Sequence, residues 1–231
     1  SNMLWDESWC NESVQKLSPI LIEQADACVK LLKMIDDVDI AEPSASLVSK
    51  LIWQYLHESE KPYTEKVCST GLRIMINDLR VILGTLMKGD IQDGDKLFDD
   101  ILISSDCRPA KFSLRVVFDR IYCDRSELSM PIVVFEVARR FAMHNLGWLL
   151  RNQNSWRTPE GLFRIRNLMP CTLKNNQGTF TGIHDTLIDE KVYQRMHFLR
   201  APGTCKRDGS HVLHPLKLPL DMNDLKDSPP Q

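Results

Sequence analysis

The sequence predicts an all-α protein, built either as an irregular helical bundle or as stacked helical hairpins. Apolar residues recur every three to four positions along most of residues 1–170, as they do on one face of a helix. Proline and glycine fall where these periodic segments begin and end. The connections between segments are mostly short, which favours antiparallel neighbouring helices. We therefore predict seven to eight helices and a small irregular C-terminal appendage.

The first three helices are predicted between residues 18 and 89. Ser18 and Pro19 indicate a helix start, since a hydroxyl caps the helix and proline suits its first position. A polar break from Asp36 to Pro43 separates this helix from the second. The third begins after Pro62 and ends near Gly89, a residue that suits a helix C-cap. The second helix carries the apolar residues Leu47, Val48, Leu51, Ile52, Tyr55 and Leu56.

Further helices are predicted over residues 97–102 and 109–122 from the same periodicity. Pro131 opens the most hydrophobic helix of the chain, and Thr158 with Pro159 opens a shorter one. Residues 171–183 have the turn composition of a small hairpin. A last helix is expected to begin at Asp185. The residues predicted to lie in the core are Leu79, Leu83, Phe135, Phe141, Leu146 and Leu150.

Three regions follow from these elements. Residues 1–17 are interpreted as an N-terminal extension that begins with a cloning scar, Ser1-Asn2-Met3. Residues 18–200 form the predicted α-helical interaction domain, which resembles HEAT and armadillo proteins in style alone, since no fixed repeat period occurs. Residues 201–231 are predicted to be an extended tail. Its apolar residues around Pro215 and Pro219 fit either a strap over its own core or a segment that docks in a partner's groove.

Charge is distributed unevenly along the chain. Residues 1–105 hold two Arg and eight Lys against eighteen carboxylates, a net charge of −8. Residues 106–200 hold twelve Arg and three Lys against nine carboxylates, a net charge of +6, and residues 201–231 balance. Guanidinium groups bind carboxylate or phosphate through paired hydrogen bonds. The Arg-rich part of the chain therefore indicates recognition of an anionic partner.

The candidate binding residues lie within 28 positions where Arg and aromatic side chains interleave. Arginine forks and aromatic faces together bind phosphates, bases or peptide side chains. The alternative is that these arginines pair with carboxylates of the acidic half and hold the two halves together. The candidates are Arg139, Arg140, Arg151, Trp156, Arg157, Phe163, Arg164 and Arg166.

Sequence motifs for catalysis or for metal binding are absent. The chain holds no GxSxG, P-loop, GxGxxG or HExxH motif. Structural zinc sites usually place ligands two to four residues apart, and here only His211 and His214 are that close. The other cysteines and histidines of this region are Cys171, His184, His197 and Cys205. We therefore predict no enzyme, no cofactor and no metal site.

Composition places the protein in a broad class. Hydrophobic residues make up 43% and charged residues 26% of the chain, as in ordinary globular proteins. No apolar run approaches the roughly 20 residues that a membrane-spanning helix needs. The seven cysteines show no disulfide-framework spacing, which favours a reducing compartment. We expect an intracellular protein of the cytoplasm or nucleus that does not contact a membrane.

The function expected from these observations is that of a non-catalytic scaffold or adaptor domain in a larger intracellular regulatory protein. Its Arg-rich half would bind an acidic or partly apolar segment of a partner protein. The first alternative is a helical domain that binds RNA or DNA through the same residues, and the second is an enzyme or small-ligand-binding domain. Exposed arginines without carboxylate neighbours would favour nucleic acid, whereas arginines among carboxylates would favour a protein partner. The oligomeric state stays open.

Overall fold

Helices make up most of the residues that the computed structural model describes. These residues are 7–36, 44–59, 61–86, 101–105, 107, 111–118, 130–168, 173–174, 179–180, 200–206 and 211–216. The chain divides into two compact units, each made of two separate stretches of sequence. Unit 1 comprises Ser1–Lys61 and Val134–Asp189, and unit 2 comprises Pro62–Val133 and Glu190–Gln231.

Unit 1 is a helical assembly. It holds α1 (Glu7–Asp36), α2 (Ala45–Ser59), most of α4 (Met130–Arg151) and α5 (Pro159–Arg166). A single 3-10 turn, Gln153–Ser155, connects α4 to α5. The two-residue strands β3 (Leu173–Lys174) and β4 (Thr179–Phe180) pair antiparallel, which confirms the hairpin predicted within 171–183.

The core of unit 1 joins residues that are far apart in sequence. Leu21 and Ala25 of α1, Ile52 of α2 and Leu149 of α4 are at most 2% exposed, and α5 contributes Ile165. Burial of such aliphatic side chains stabilises the fold by about 1.5–3 kcal/mol each. The arrangement therefore depends on α1 and α2 packing with helices that come much later in the chain.

The predicted start of the first helix at Ser18 is wrong, because α1 begins at Glu7 and contains Pro19 in its interior. Val14 and Leu17 pack in the same core as Leu21, so the amphipathic pattern continues before Ser18. Pro19 is exposed, so water can replace the backbone hydrogen bond that proline removes from the helix. α1 therefore also includes residues 7–17, which the sequence predicts to be part of an N-terminal extension.

Unit 2 combines one long helix with a small sheet. It contains α3 (Glu65–Leu86), β1 (Ile101–Ser105), β2 (Leu114–Phe118) and β5 (His214–Leu216). The three strands are antiparallel in the order β2-β1-β5. The register pairs Ile103 of β1 with Val116 on one side and with Leu216 on the other.

One face of this sheet packs on α3. Ile103 and Leu216 form a buried cluster with Leu72 and Ile76 of α3, and Val116 packs against it. The predicted tail thus supplies a strand to unit 2, and Leu213 and Leu216 are 3% and 8% exposed. The described part of the tail therefore fits a strap over its own core.

The helices predicted over 97–102 and 109–122 are wrong where the structure describes them, because β1 and β2 occupy residues 101–105 and 114–118. Adjacent apolar pairs such as Val116-Val117 fit a helix face and a strand equally well, so periodicity alone did not separate them. β-branched residues favour strands, and pairing with a third strand decided the outcome. Leu97 and Ile121 lie outside the described residues.

The described residues hold five α-helices, so the protein is mostly helical and not all-α. The helix predicted from Asp185, the C-cap at Gly89 and residues 217–231 lie outside the described residues. The helices predicted from Pro62, Pro131 and Thr158 correspond to α3, α4 and α5.

The core prediction is confirmed in part. Phe141, Leu146 and Leu150 are 3%, 2% and 5% exposed. Leu79 and Leu83 are half-buried. The side chain of Phe135 lies outside the described residues.

Candidate functional site

The arginine and aromatic candidates lie on α4, on α5 and on the connection between them. Thr158 caps α5, since its hydroxyl oxygen accepts a hydrogen bond from the Gly161 amide at 3.1 Å. Pro159 occupies the first helical turn, where its missing N–H costs nothing. Gly161 lies so close to the preceding turn that an added Cβ would approach the Trp156 Cα to 2.6 Å. The cap and the glycine together hold α5 tightly against the end of α4.

Both aromatic candidates are buried in unit 1. Trp156 is 6% exposed, and its Nε1–H donates a hydrogen bond to the Leu149 carbonyl at 2.9 Å. The Lys50 ammonium of α2 lies 5.5 Å from the centre of the Trp156 ring. Phe163 is 1% exposed. Trp156 therefore joins the α4–α5 connection to α4 and α2, and neither ring offers much surface to a partner.

Arg164 is also buried, with 4% of its side chain exposed. Its Nε–H donates to Glu160 at 3.0 Å, and its guanidinium group lies 5.1 Å from the centre of the Trp148 ring. Asn145 of α4 donates through Nδ2 to the carbonyl groups of Arg164 at 2.8 Å and Asn167 at 3.2 Å. A buried charge is tolerated when it is paired and hydrogen-bonded in this way. Arg164 therefore belongs to a polar network that joins α4 to α5.

Arg139 and Arg140 share one carboxylate of their own helix. Glu136 accepts hydrogen bonds from both, at 2.9 and 3.0 Å from Arg139 and at 2.8 Å from Arg140. The hydrogen bond with Arg139, followed by the one with Arg140, lowers the pKa of Glu136 against the opposing effect of burial. The hydrogen bond with Glu136 in turn raises the pKa of Arg139, against the opposing effect of burial. These two arginines thus present a mixed surface of both charges.

Arg151, Arg157 and Arg166 complete the candidate set. Arg151 and Arg157 are exposed, and Arg166 is half-buried. Arg151 ends α4, where its Nε–H donates to the Gly147 carbonyl at 3.3 Å and its charge complements the helix dipole. Gln153 and Asn154 are exposed between the two exposed arginines. The α4–α5 connection therefore presents cations and amide groups to solvent.

Sequence reasoning missed one exposed feature of unit 1, the outer face of α2. We name Lys50, Trp53 and His57 the α2 stripe. Trp53 is 54% exposed, and its ring stacks on that of His57 with centroids 5.6 Å apart and planes inclined by 24°. The signal was present in the sequence, because Trp53 falls outside the helical stripe of apolar residues that forms the core face of α2.

The described cysteine and histidine residues show no arrangement for metal binding. Within the described ranges no three His, Cys, Asp or Glu side chains cluster as metal ligands would. Cys205, His211 and His214 are exposed, and the remaining zinc candidates Cys171, His184 and His197 lie outside the described residues.

Cys28 is the buried cysteine of α1. Burial raises the pKa of its thiol to about 11, and a weaker influence of the Arg151 charge opposes this shift. The thiol donates a hydrogen bond to the Met143 carbonyl at 3.2 Å. A thiol with this pKa stays protonated near neutral pH and is a poor nucleophile. Cys28 therefore serves packing between α1 and α4.

Across the described residues, no helix combines the length and the apolar character needed to cross a membrane. Comparisons with protein families, with curated proteins and with solved structures find no match to this chain.

Proposed function

We propose that this chain is a non-catalytic protein interaction domain, a scaffold or adaptor that binds an acidic and partly apolar segment of a partner through unit 1. The observation that carries the proposal is the charge environment of the arginines. Arg139 and Arg140, at the surface of α4, share the carboxylate of Glu136. A surface that tracks a phosphate backbone gains affinity from many unneutralised cations. Arginines interleaved with carboxylates suit the polar rim of a protein interface better.

The surface that we assign to this function combines these two arginines with the α4–α5 connection, residues 151–158, which follows them in the chain. Arg151 and Arg157 are exposed there, with Gln153 and Asn154 between them. The buried Trp156 fixes the connection to the core through its hydrogen bond to Leu149. A rigidly held cationic connection is suited to binding because little conformational entropy is lost when a partner docks.

The cellular setting that we propose follows from the cysteines of the chain. The seven cysteines of the sequence show no disulfide-framework spacing. Reduced cysteines without a disulfide framework are typical of the cytosol and nucleus. We therefore propose that the domain belongs to an intracellular regulatory protein.

The experiment is affinity capture with the full chain, with and without nuclease treatment, followed by mass spectrometry. The test variant is Arg151→Gln with Arg157→Gln, which removes two exposed charges and keeps Arg164 and its buried network. The control is Lys30→Gln with Lys33→Gln, which removes two exposed charges from α1. We expect nuclease-resistant capture of an acidic protein, weakened about tenfold in the test variant through slower association, and unchanged in the control.

Two results would contradict the proposal. Loss of all captured material on nuclease treatment, with a steep salt dependence of binding, would assign the surface to RNA or DNA. Equal capture by the test variant and the wild-type chain would show that the α4–α5 connection does not bind the partner.

A further inference from the structure

The α2 stripe carries an exposed aromatic side chain on a helix whose opposite face is buried. The opposite face of α2 is fully used by the core, where Val48, Leu51, Ile52, Tyr55 and Leu56 are buried. Trp53 is nevertheless 54% exposed. Large aromatic side chains of this kind are enriched among the residues that carry binding energy in protein interfaces.

The two neighbours of Trp53 on this face are basic side chains. Lys50 lies one turn before it and His57 one turn after it, and both are exposed. The Lys50 ammonium lies over the Trp156 ring, 5.5 Å from its centre. The carboxylate of α2, Glu58, pairs with Lys61 at 2.7 Å. Lys50 therefore gives the α2 stripe a positive charge.

The α2 stripe is connected to the surface assigned above. Lys50 covers Trp156, and Arg157 follows Trp156 directly in the chain. The α2 stripe and the α4–α5 connection thus adjoin through a single buried ring.

We propose that the α2 stripe binds a linear peptide segment in which two carboxylates flank an apolar side chain. This inference rests on the proposed function and names the partner's chemistry. Trp53, stacked on His57, offers a flat aromatic surface for the apolar side chain. Lys50 attracts one carboxylate through its charge, and an N–H group of the His57 ring is placed to donate a hydrogen bond to the other.

The spacing of the stripe predicts the spacing of the motif. Lys50 and His57 are seven residues apart on α2, which places them about 10.5 Å apart along the helix axis at 1.5 Å per residue. A peptide in the polyproline II conformation covers about that distance in three residues at roughly 3.1 Å each, and its three residues per turn bring the first and fourth side chains back to the same face. The expected motif is therefore acidic–x–apolar–acidic or acidic–apolar–x–acidic.

The test begins with selection of a phage-displayed library of random 12-residue peptides on the full chain. An enriched peptide is then synthesised with a fluorescent label, and its dissociation constant is measured by anisotropy. We expect enriched sequences to share the predicted spacing of two acidic residues around Phe, Trp or Leu. Trp53→Ala is expected to weaken binding at least tenfold, on the order of an interface hot spot.

One further variant tests the contribution of charge to peptide binding, and another serves as the control. Lys50→Met keeps an aliphatic stem over Trp156 and removes the charge. It is expected to weaken the binding of acidic peptides and to leave unchanged the binding of the same peptides with Gln in place of the acidic residues. Met34→Ala is the matched control, because Met34 of α1 is 84% exposed and its loss is expected to leave binding unchanged. Circular dichroism of each variant verifies that the helices are intact.

The outcomes distinguish this inference from the proposed function. Enriched peptides without carboxylates, or equal binding by Trp53→Ala, would overturn the α2 stripe as a docking site. If the double variant Arg151→Gln with Arg157→Gln still fails to capture the partner in that case, the proposed function is supported independently of the α2 stripe. If a single-stranded (dT)20 oligonucleotide displaces the peptide and its own binding depends on Trp53, the partner of the α2 stripe is nucleic acid and the inference is overturned.

Discussion

Replacing Gly161 with alanine is expected to destabilise unit 1, although alanine is the better helix former. Gly161 is the third residue of α5. A Cβ at this position would lie 2.6 Å from the Cα and 2.7 Å from the carbonyl carbon of Trp156, and closer still to the carbonyl oxygen of Ser155. All three atoms belong to the backbone, so no side chain can rotate away to relieve the contact.

The magnitude follows from two opposing effects. Replacing glycine by alanine within a helix stabilises it by about 1 kcal/mol. Overpacking against fixed atoms costs about 1–3 kcal/mol, and backbone contacts belong to the upper end of that range. We therefore expect the free energy of unfolding of unit 1 to fall by about 2 kcal/mol.

The matched control is Gly84→Ala in α3. A Cβ at Gly84 meets nothing within 4 Å, so alanine is expected to stabilise unit 2 by about 0.5–1 kcal/mol. The assay exploits the distribution of tryptophan, since all five Trp residues lie in the stretches that form unit 1. Urea unfolding followed by tryptophan fluorescence reports unit 1, and far-UV circular dichroism reports both units.

The outcome that refutes this reasoning is a Gly161→Ala chain as stable as the wild type in the fluorescence transition. That result would mean that α5 shifts away from the preceding turn without cost, and that the cap and glycine do not fix the α4–α5 connection.

Three further outcomes test the packing and the charges of unit 1. Phe141→Ala is expected to lower the free energy of unfolding by about 3–5 kcal/mol, because Phe141 is 3% exposed, and a loss below about 1 kcal/mol in urea unfolding would exclude it from the core. Cys28, whose buried thiol has its pKa raised to about 11, is expected to react with iodoacetamide at pH 8 far more slowly than the exposed Cys205, as followed by peptide mass spectrometry. Because the pKa of Glu136 is lower in the folded than in the unfolded chain, its ion pairs contribute stability that is present above the ordinary glutamate pKa of 4.5 and lost as pH falls through the folded value. Glu136→Gln should remove that part of the acid dependence in pH-dependent urea unfolding, and an unchanged profile would contradict it.

The local pattern of the sequence was sufficient for most helices. The apolar residues from Leu47 to Leu56 predicted α2, and Thr158 with Pro159 predicted the start of α5. Such signals depend on residues within one or two turns, and they are therefore readable from a short window of sequence. The exposure of Trp53 could be predicted in the same way, because Trp53 lies outside the apolar face of α2.

The candidate site was less predictable because its character depends on which side chains are buried. Interleaved Arg and Trp residues look alike in the sequence whether they face a partner or the core. In the folded chain Trp156, Phe163 and Arg164 are buried, whereas Arg151 and Arg157 remain exposed. Burial of a guanidinium group needs a carboxylate and an aromatic face in reach, and Glu160 and Trp148 supply them only in the folded chain.

What the sequence determined by itself was the helical character of most of the described residues, the segregation of charge and the positions of several helix ends. Only the tertiary structure decided that residues 101–105 and 114–118 form strands, since their hydrogen-bond partners include residues as distant as Leu216. It also decided which arginines remain at the surface. The physical reason is the range of the interactions: helical hydrogen bonds join residues four apart, whereas strand pairing and burial join residues that only the folded chain brings together.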